Sequence, residues 1–321
     1  MSIEPLPSSL APVPEPTPAV ASAPLKPRRR NLPRAILRTA RPQQWVKNLL
    51  VVAAPGAAGM LGNPLVLRQT IVAVAAFCLA ASGTYALNDL LDVKADRLHP
   101  AKRYRPVASG ELPEAGAIIM AAVLMGGALA LSVTLARPQL AIVLGVYVAI
   151  TTSYSIWLKH EPVIDMAAVA SGFVLRAIAG GVATGVPLSD WFLIVSAFGS
   201  LFVVSGRRFA EHLEAGEARG ERRRALTGYT IDFLRYVRTL SSAVTVTAYC
   251  LWAFEKAAKA GHAQVLFELS IIPFTLAILT WARLVELGEG EQPEELLMSS
   301  RALQLLVAAW AVLFGLGVYL R

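Results

Sequence analysis

Apolar residues in this chain form long unbroken runs that are separated by polar stretches. The runs lie at about residues 45–62, 69–91, 113–135, 139–158, 163–184, 189–206, 235–256, 264–284 and 300–320. A helix needs about 20 apolar residues to cross a bilayer, whereas the strands of a membrane barrel would alternate in polarity. The pattern therefore predicts an all-α integral membrane protein with about nine transmembrane helices.

The polar stretches divide the chain into three parts. Residues 1–27 are rich in Pro, Ala and Ser and almost uncharged, which predicts a disordered tail. Residues 28–43 combine six arginines with apolar residues at helical spacing, a pattern typical of a basic helix on a membrane surface. Residues 44–321 would then form the membrane domain, with long polar loops at 92–112 and 207–234.

Charge adds an orientation to this picture. The net charge is +8, and most Lys and Arg residues fall in loops on the same side as the N-terminus. Positive loops are typical of the cytoplasmic side, so we expect the N-terminus and both long loops there, next to membrane lipids and with no nucleic acid as partner. The two cysteines lie inside apolar runs and the four histidines are scattered, so neither a disulfide framework nor a histidine metal site is expected.

The most informative polar stretch, YALNDLLDVKADRLHPAKRYRP, follows the second run at residues 85–106. On a helix, Asn88, Asp89, Asp92 and Asp96 fall within an arc of roughly 100° at the mouth of a predicted span. Oxygen ligands on one face suit Mg²⁺, which prefers carboxylates and substrate phosphates. We predict Asn88, Asp92 and Asp96 as metal ligands. The competing interpretation is an ordinary solvated helix end.

Bases that suit the phosphates of a polyanion follow these acids: Lys102, Arg103 and Arg105. Other candidates for substrate binding lie mostly near the ends of predicted spans: Lys47, Tyr85, Asp89, Tyr154, Lys159, Arg176, Arg207, Arg208 and Glu211. For most of them the plain alternative is an interfacial tyrosine or a positive residue of a cytoplasmic loop, and for Lys47 it is a side chain that snorkels to the membrane surface. Arg176 lies too deep to snorkel well and is expected to face a polar cavity.

Several of these segments resemble a known family. NDLLDVKAD resembles the NDxxDxxxD motif of the UbiA superfamily of intramembrane prenyltransferases, and RPVASG and YSIWLK also resemble that family. RPQQWVKN, the acidic stretch, LRAIAGGVAT and GRRFAEH, in this order, are similar to a branch of the superfamily from actinobacterial cell-wall synthesis. The resemblance covers about residues 38–320, the whole predicted membrane part.

The resemblance implies a UbiA-type bundle in the bacterial cytoplasmic membrane, with a cytoplasm-facing active-site cavity and Mg²⁺ as cofactor. It implies transfer of 5-phosphoribose from phosphoribosyl diphosphate (PRPP) to decaprenyl phosphate, for arabinan synthesis. The residues expected to act in catalysis are Asn88, Asp92, Lys102 and Lys159. Typical family members carry a second aspartate-rich motif where this chain has Arg207, Arg208 and Glu211, a departure that suits an additional phosphate on the donor.

Two other functions stay open at this point. A classical prenyltransferase acting on an aromatic or quinone acceptor would use the same acids to bind a prenyl diphosphate. A non-enzymatic transporter of ions or lipid phosphates would use them as a cation site. The sequence also leaves open whether the chain forms a homo-oligomer.

Overall fold

The computed structural model describes residues 31–217, 228–289 and 293–320. The predicted disordered tail at 1–27 lies outside the described residues, as do the first three residues of the predicted basic segment. In the described part of the chain every regular element is helical, which confirms the all-α prediction.

The α-helices are, in chain order, α1 (Leu32–Ala40), α2 (Ala53–Ala57), α3 (Pro64–Leu91), α4 (Val93–Leu98), α5 (Glu114–Leu135), α6 (Pro138–Ile156), α7 (Ile164–Thr184), α8 (Asp190–Glu217), α9 (Ile231–Ala258), α10 (Gln264–Glu286), α11 (Pro293–Ser299) and α12 (Arg301–Tyr319). Four 3₁₀ segments connect them, at Pro42–Val52, Lys102–Tyr104, Leu158–His160 and Gly261–Ala263.

Seven helical segments of the described residues are long and apolar enough to cross a membrane: α3, α5, α6, α7, α8 through Leu213, α10 together with the preceding 3₁₀ turn, and α12. The predicted count of nine is therefore not confirmed. The first predicted span is instead a 3₁₀ segment followed by the five-residue α2. α9 has 28 residues but carries polar and charged side chains along its length, so its composition falls short of a typical span.

Small residues let the elements around the acidic stretch approach closely. A Cβ on Gly83 of α3 would lie 2.8 Å from the Met125 side chain of α5. A Cβ on Gly180 of α7 would collide with the backbone of Val51, so this glycine allows the 3₁₀ segment to pack directly on α7. Close approach through small residues is the usual way in which membrane helices pack. It holds the Pro42–Val52 segment beside the bundle.

Antiparallel neighbours bring four connections to one end of the bundle. At this end the first helix of each pair finishes and the second begins. The pairs are α3 and α5, α6 and α7, α8 and α9, and α10 and α12. α8 continues through Glu217, so Arg207, Arg208 and Glu211 are helical and not part of the predicted loop. Arg, Glu and Ala are good helix formers, and hydropathy alone mistakes such a polar helix end for a loop.

Candidate active site

The acidic cluster, Asn88, Asp89, Asp92 and Asp96, lies where α3 gives way to α4. α3 ends at Leu91, Asp92 caps it with φ −89° and ψ 1°, and α4 resumes at Val93. Asp89 and Asp96 are buried, and the Asp92 side chain is 26% exposed. The turn preserves the shared face expected from helical spacing, because the side chain of Lys94 is exposed on the other side.

Each carboxylate of the acidic cluster is paired with a base from a different part of the chain. Arg41 Nη2 donates to Asp89 Oδ1 at 2.5 Å, and Lys159 Nζ donates to Asp92 Oδ1 at 2.9 Å. Arg105 Nη1 lies 2.7 Å from Asp96 Oδ2 and 3.4 Å from Asp89 Oδ1. Bases neutralise the like charges that would otherwise repel one another at the membrane boundary.

Arg38 and Arg41 come from the predicted surface helix and were not among the predicted site residues. α1 packs against α3, and Arg41 follows it in a left-handed conformation with φ 52°. Its guanidinium lies 4.9 Å from the centroid of the Tyr85 ring. Arg38 pairs with Glu111 at 2.8 Å and donates to the Tyr104 carbonyl at 2.9 Å. The Arg-Pro step that opens RPQQWVKN is the signal that could have identified Arg41.

A cavity of about 230 Å³ opens beside the acidic cluster. Its lining combines three arginines with one carboxylate and parts of the 101–106 loop: Arg38, Arg41, Asp89, Ala101, Tyr104, Arg105 and Pro106. Guanidinium groups in a fork geometry match phosphate oxygens. With three guanidiniums facing one carboxylate, the cavity has the charge of an anion site.

The other two bases of the 102–105 group are oriented differently. Arg103 donates to the Tyr104 hydroxyl at 2.9 Å, and its guanidinium lies 5.0 Å from that ring. Lys102 is half-buried in the 3₁₀ turn, where its backbone N–H donates to His99 Nδ1 at 3.3 Å. Of the three predicted phosphate bases, only Arg105 lines the 230 Å³ cavity.

A second group of charges lies across the bundle. This Arg208 cluster consists of Tyr154, Asp165, Arg208, Glu211 and Tyr229. Arg208 lies 2.9 Å from Asp165 and 2.6 Å from Glu211, and it donates to the Tyr154 hydroxyl at 3.1 Å. Tyr229 donates to the other Asp165 oxygen and accepts the Val163 N–H. Burial, assisted by the hydrogen bond to Asp165, raises the pKa of Tyr229 well above its usual range.

Asp165 and Tyr229 were not predicted, although an aspartate at the start of an apolar run is a recognisable signal. Asp165 is fully buried at the first turn of α7. Its pairing, together with that of Glu211, commits the Arg208 guanidinium to protein carboxylates. Arg207 differs: it donates to Glu211 at 3.0 Å, but its side chain is 42% exposed. Of the two predicted arginines, Arg207 is therefore the more accessible to a ligand.

The two clusters meet at the end of α6. Tyr154 in the last turn of that helix contacts Arg208, and Lys159 in the following 3₁₀ turn pairs with Asp92. A six-residue stretch, 154–159, thus supplies one partner to each cluster.

Arg176 lies deeper, in the middle of α7, and is 5% exposed. It donates to Asn48 Oδ1 at 2.7 Å, to the Gly172 carbonyl at 2.7 Å and to the Tyr147 hydroxyl at 3.1 Å. All of these acceptors are neutral. Lys47, half-buried in the 3₁₀ segment, precedes Asn48 directly. Arg176 therefore ties the 3₁₀ segment to the bundle, and its predicted role in substrate binding stays a prediction.

The acidic cluster fits a metal ion only under certain conditions. Among the described residues, no three His, Cys, Asp or Glu side chains form a ready metal site. Asp89 and Asp96 are buried and paired with arginines, and Asp92 is paired with Lys159. Asn88 and Asp92, one helical turn apart and half-buried, are the most accessible oxygen ligands of the cluster. Mg²⁺ often binds through one or two protein ligands, with substrate phosphates completing its coordination. The donor set fits a metal that shares its shell with a phosphorylated substrate.

Residues 49–306 match the UbiA prenyltransferase family. The chain belongs to this family. The match runs from within the 3₁₀ segment to the second turn of α12. It includes the acidic cluster, Lys159 and the Arg208 cluster. The protein is thus an integral membrane protein of an enzyme superfamily, as the motif resemblance predicted.

Relatives within the UbiA family are similar over most of their length. The chain is 44% identical to a decaprenyl-phosphate phosphoribosyltransferase of Corynebacterium glutamicum, covering 91% of this chain and 89% of that protein. It is 45% identical to the enzyme of the same name from Mycobacterium tuberculosis H37Rv, covering 90% and 95%. A UbiA homologue from Archaeoglobus fulgidus, bound to DMAPP and Mg²⁺, superposes with a TM-score of 0.67 at 19% identity, over 89% of this chain and 99% of that one. The last similarity shows the fold.

Proposed function

We propose that this UbiA-family protein transfers 5-phosphoribose from PRPP to decaprenyl phosphate and releases diphosphate. The observation that carries the proposal is the 44–45% identity to decaprenyl-phosphate phosphoribosyltransferases over about nine-tenths of the chain. The geometry is compatible with it, because an arginine-lined cavity beside the acidic cluster offers room for a donor with several phosphates.

In this proposal the bond between C1 of the ribose and the diphosphate oxygen breaks, and the electron pair leaves with the diphosphate. A phosphate oxygen of decaprenyl phosphate forms the new bond to C1. This oxygen is already anionic near neutral pH, so the reaction needs no strong general base. Catalysis then depends on positioning and on stabilisation of the leaving group.

The chain's own residues divide this work. Asn88 and Asp92 would hold Mg²⁺, which neutralises charge on the diphosphate as it leaves. Asp96 would take part after giving up Arg105, or through water. Arg41 and Arg105 would bind phosphate oxygens in the 230 Å³ cavity. Lys102 and Arg103, which do not line this cavity, would contact phosphate oxygens from the adjoining loop. Lys159, 2.9 Å from Asp92, would turn from the carboxylate to the diphosphate when the donor and metal bind.

The remaining substrate contacts would come from the second cluster and from the membrane segments. Arg207, with an exposed guanidinium beside Glu211, would contact the 5-phosphate that a prenyl diphosphate lacks. Lys47 would meet the phosphate of the lipid acceptor, whose tail lies along the apolar helices. The protein would lie in the bacterial cytoplasmic membrane with its active-site end on the cytoplasmic side. α1 would rest on the membrane surface, and residues 44–321 would form the catalytic domain.

The test compares donors on the purified protein with decaprenyl phosphate and Mg²⁺ present. We expect labelled product from labelled PRPP and none from a labelled prenyl diphosphate offered with an aromatic acceptor. Omission of Mg²⁺ with EDTA should stop the reaction, and its return should restore it. Product from the prenyl diphosphate alone would establish a classical prenyltransferase, and flux of a cation or lipid phosphate without any glycosyl product would establish a transporter.

A further inference from the structure

A second cavity lies at the active-site end of the bundle but outside the clusters described above. It measures about 200 Å³, is open to the surface and is lined by residues of α8, α9 and α10. The lining residues that matter are Phe202, Arg238, Thr239, Ser242, Arg283 and Glu286. Neither cluster of the proposed active site contributes a side chain to this lining.

Arg238 is the central group of this cavity. It is 5% exposed, its guanidinium lies 4.5 Å from the centroid of the Phe209 ring, and Nη2 contacts the Glu286 carboxylate. Its Nη1 is buried and finds no hydrogen-bond acceptor in the part of the chain that the structure describes. A buried charged donor left without an acceptor is costly, so a ligand that supplies one would be favoured at this position.

The charges around Arg238 leave an excess of guanidinium. Glu286 is shared between Arg238 and Arg235, whose Nε lies 3.5 Å from the same carboxylate. Arg283 lines the cavity and has no carboxylate within 4 Å among the described residues. Thr239 and Ser242 add hydroxyl groups to the lining. The Ser242 hydroxyl donates to the Thr239 carbonyl at 2.9 Å. Two guanidiniums and the Thr239 hydroxyl around one shared carboxylate form a donor-rich site for an anion with several oxygens.

We propose that the 200 Å³ cavity binds a phosphate group at the membrane boundary. The group is supplied either by the head group of an anionic phospholipid or by phosphate from solution. The surroundings accommodate a lipid, because Leu279 lies one turn deeper on the same face of α10 and is 59% exposed, as expected for a side chain that contacts an acyl chain. Arg283, close to the end of α10, would hold the phosphate near the interface.

This binding does not depend on the proposed transfer reaction. Phe209 separates the two regions: it follows Arg208 on α8, and its ring faces Arg238 and Arg235 while Arg208 faces Asp165. Phosphate binding can therefore be measured without donor, acceptor or turnover.

The experiment uses the full chain purified in a neutral detergent. In one arm, native mass spectrometry compares bound phosphatidylglycerol with bound phosphatidylcholine. In the other, inorganic phosphate is added without anionic lipid, and the thermal unfolding midpoint is followed. Arg283→Gln removes the partly exposed donor with little risk to folding, and Arg238→Lys keeps the charge but loses the planar fork. Arg301→Gln, an exposed arginine at the start of α12, is the matched control.

A lipid site predicts preferential binding of phosphatidylglycerol that falls about tenfold in Arg283→Gln and is unchanged in Arg301→Gln, because one charge-assisted hydrogen bond is lost. A site for phosphate from solution predicts instead an upward shift of the unfolding midpoint with phosphate, which is lost in Arg283→Gln and kept in Arg301→Gln. If Arg283→Gln matches the wild type in both arms, or if the two glutamine variants lose binding equally, the proposal is overturned.

Discussion

The acidic cluster and the Arg208 cluster both pair carboxylates with bases, but they differ in how open the pairs are to water. The Arg208 and Asp165 side chains are 6% and 0% exposed. In the acidic cluster Asp89 and Asp96 are 2% and 4% exposed, but their arginine partners and both members of the Lys159–Asp92 pair are between about a quarter and a third exposed. A closed pair holds its partners, because breaking it leaves a buried charge. A half-open pair can exchange partners with a ligand at much lower cost.

This difference in exposure suggests different roles for the two clusters. In the proposed reaction, the acidic cluster would rearrange around a metal and a polyphosphate. The Arg208 cluster is the part that fixes α6, α7 and α8 relative to one another and presents Arg207 beside it. Substitutions should therefore separate loss of turnover from loss of stability according to the cluster that they touch.

The largest effect on activity is expected at Asp92. Asp92→Ala removes the accessible carboxylate at the end of α3, and we expect turnover with PRPP to fall below detection while the unfolding midpoint stays near that of the wild type. Initial rates and thermal unfolding of the purified protein measure the two. The control is Asp190→Asn, which changes an exposed acid at the start of α8, away from the acidic cluster, and should retain full activity. Near-normal turnover of Asp92→Ala with Mg²⁺ present would refute the metal assignment.

The largest effect on stability is expected at Arg208. Arg208→Leu leaves Asp165 and Glu211 without their shared base, which should lower the free energy of unfolding by about 3–5 kcal/mol. Chemical denaturation in detergent measures the change. Arg207→Gln tests the contrast, because it should change stability by less than about 0.5 kcal/mol and yet raise KM for PRPP. Equal destabilisation by both substitutions would show that the Arg208 cluster is not the closed one.

A smaller, ligand-dependent effect is expected at Arg41. Arg41→Gln removes one phosphate donor and the partner of Asp89, and we expect KM for PRPP to rise about tenfold, as for loss of one charge-assisted hydrogen bond. Arg34→Gln on the exposed side of α1 should leave KM unchanged. If both variants raise KM for decaprenyl phosphate instead, α1 serves the lipid acceptor and not the 230 Å³ cavity.

The smallest effect is expected at Tyr229. Tyr229→Phe loses the hydrogen bonds to Asp165 and Val163 and should cost about 1–2 kcal/mol of unfolding free energy at pH 7. Folding raises the pKa of this phenol, so its contribution is complete below the ordinary tyrosine pKa of about 10 and is lost as the pH rises through the higher folded value. The difference between wild type and variant should thus be constant from pH 7 to 9 and shrink at more alkaline pH. Tyr236→Phe, an exposed tyrosine on α9, should show neither effect.

Helical spacing and charge were sufficient to predict the acidic cluster as a group, because its four residues lie within nine positions of one another. They could not reveal that Arg41 reaches Asp89, since the two residues are 48 positions apart and meet only through the packing of α1 on α3. Asp165 was not predicted as a site residue for the same reason, because its partners Arg208 and Tyr229 lie outside α7. Local patterns report neighbours in sequence, whereas ion pairs across a bundle depend on tertiary packing.

The fold shows a similar division. Apolar runs gave the positions of α3, α5, α6, α7, α10 and α12 to within a few residues. The 45–62 run is not confirmed as a span, because it forms the end of a 3₁₀ segment, Pro42–Val52, followed by the five-residue α2 and not one long α-helix. The predicted span ended at residue 206, whereas α8 continues through Glu217. The polar residues after 206 lower the hydropathy but still favour a helix.

The ammonium group of Lys159 neutralises the Asp92 carboxylate when no ligand is bound. A lone divalent cation would have to displace an ammonium group 2.9 Å from the carboxylate, and a lone polyphosphate would have to draw that ammonium away from it. A metal already carried on a diphosphate offers a new partner to both groups at once. Under the proposed function, this pair would therefore favour a metal that arrives bound to the diphosphate of the donor over a free cation.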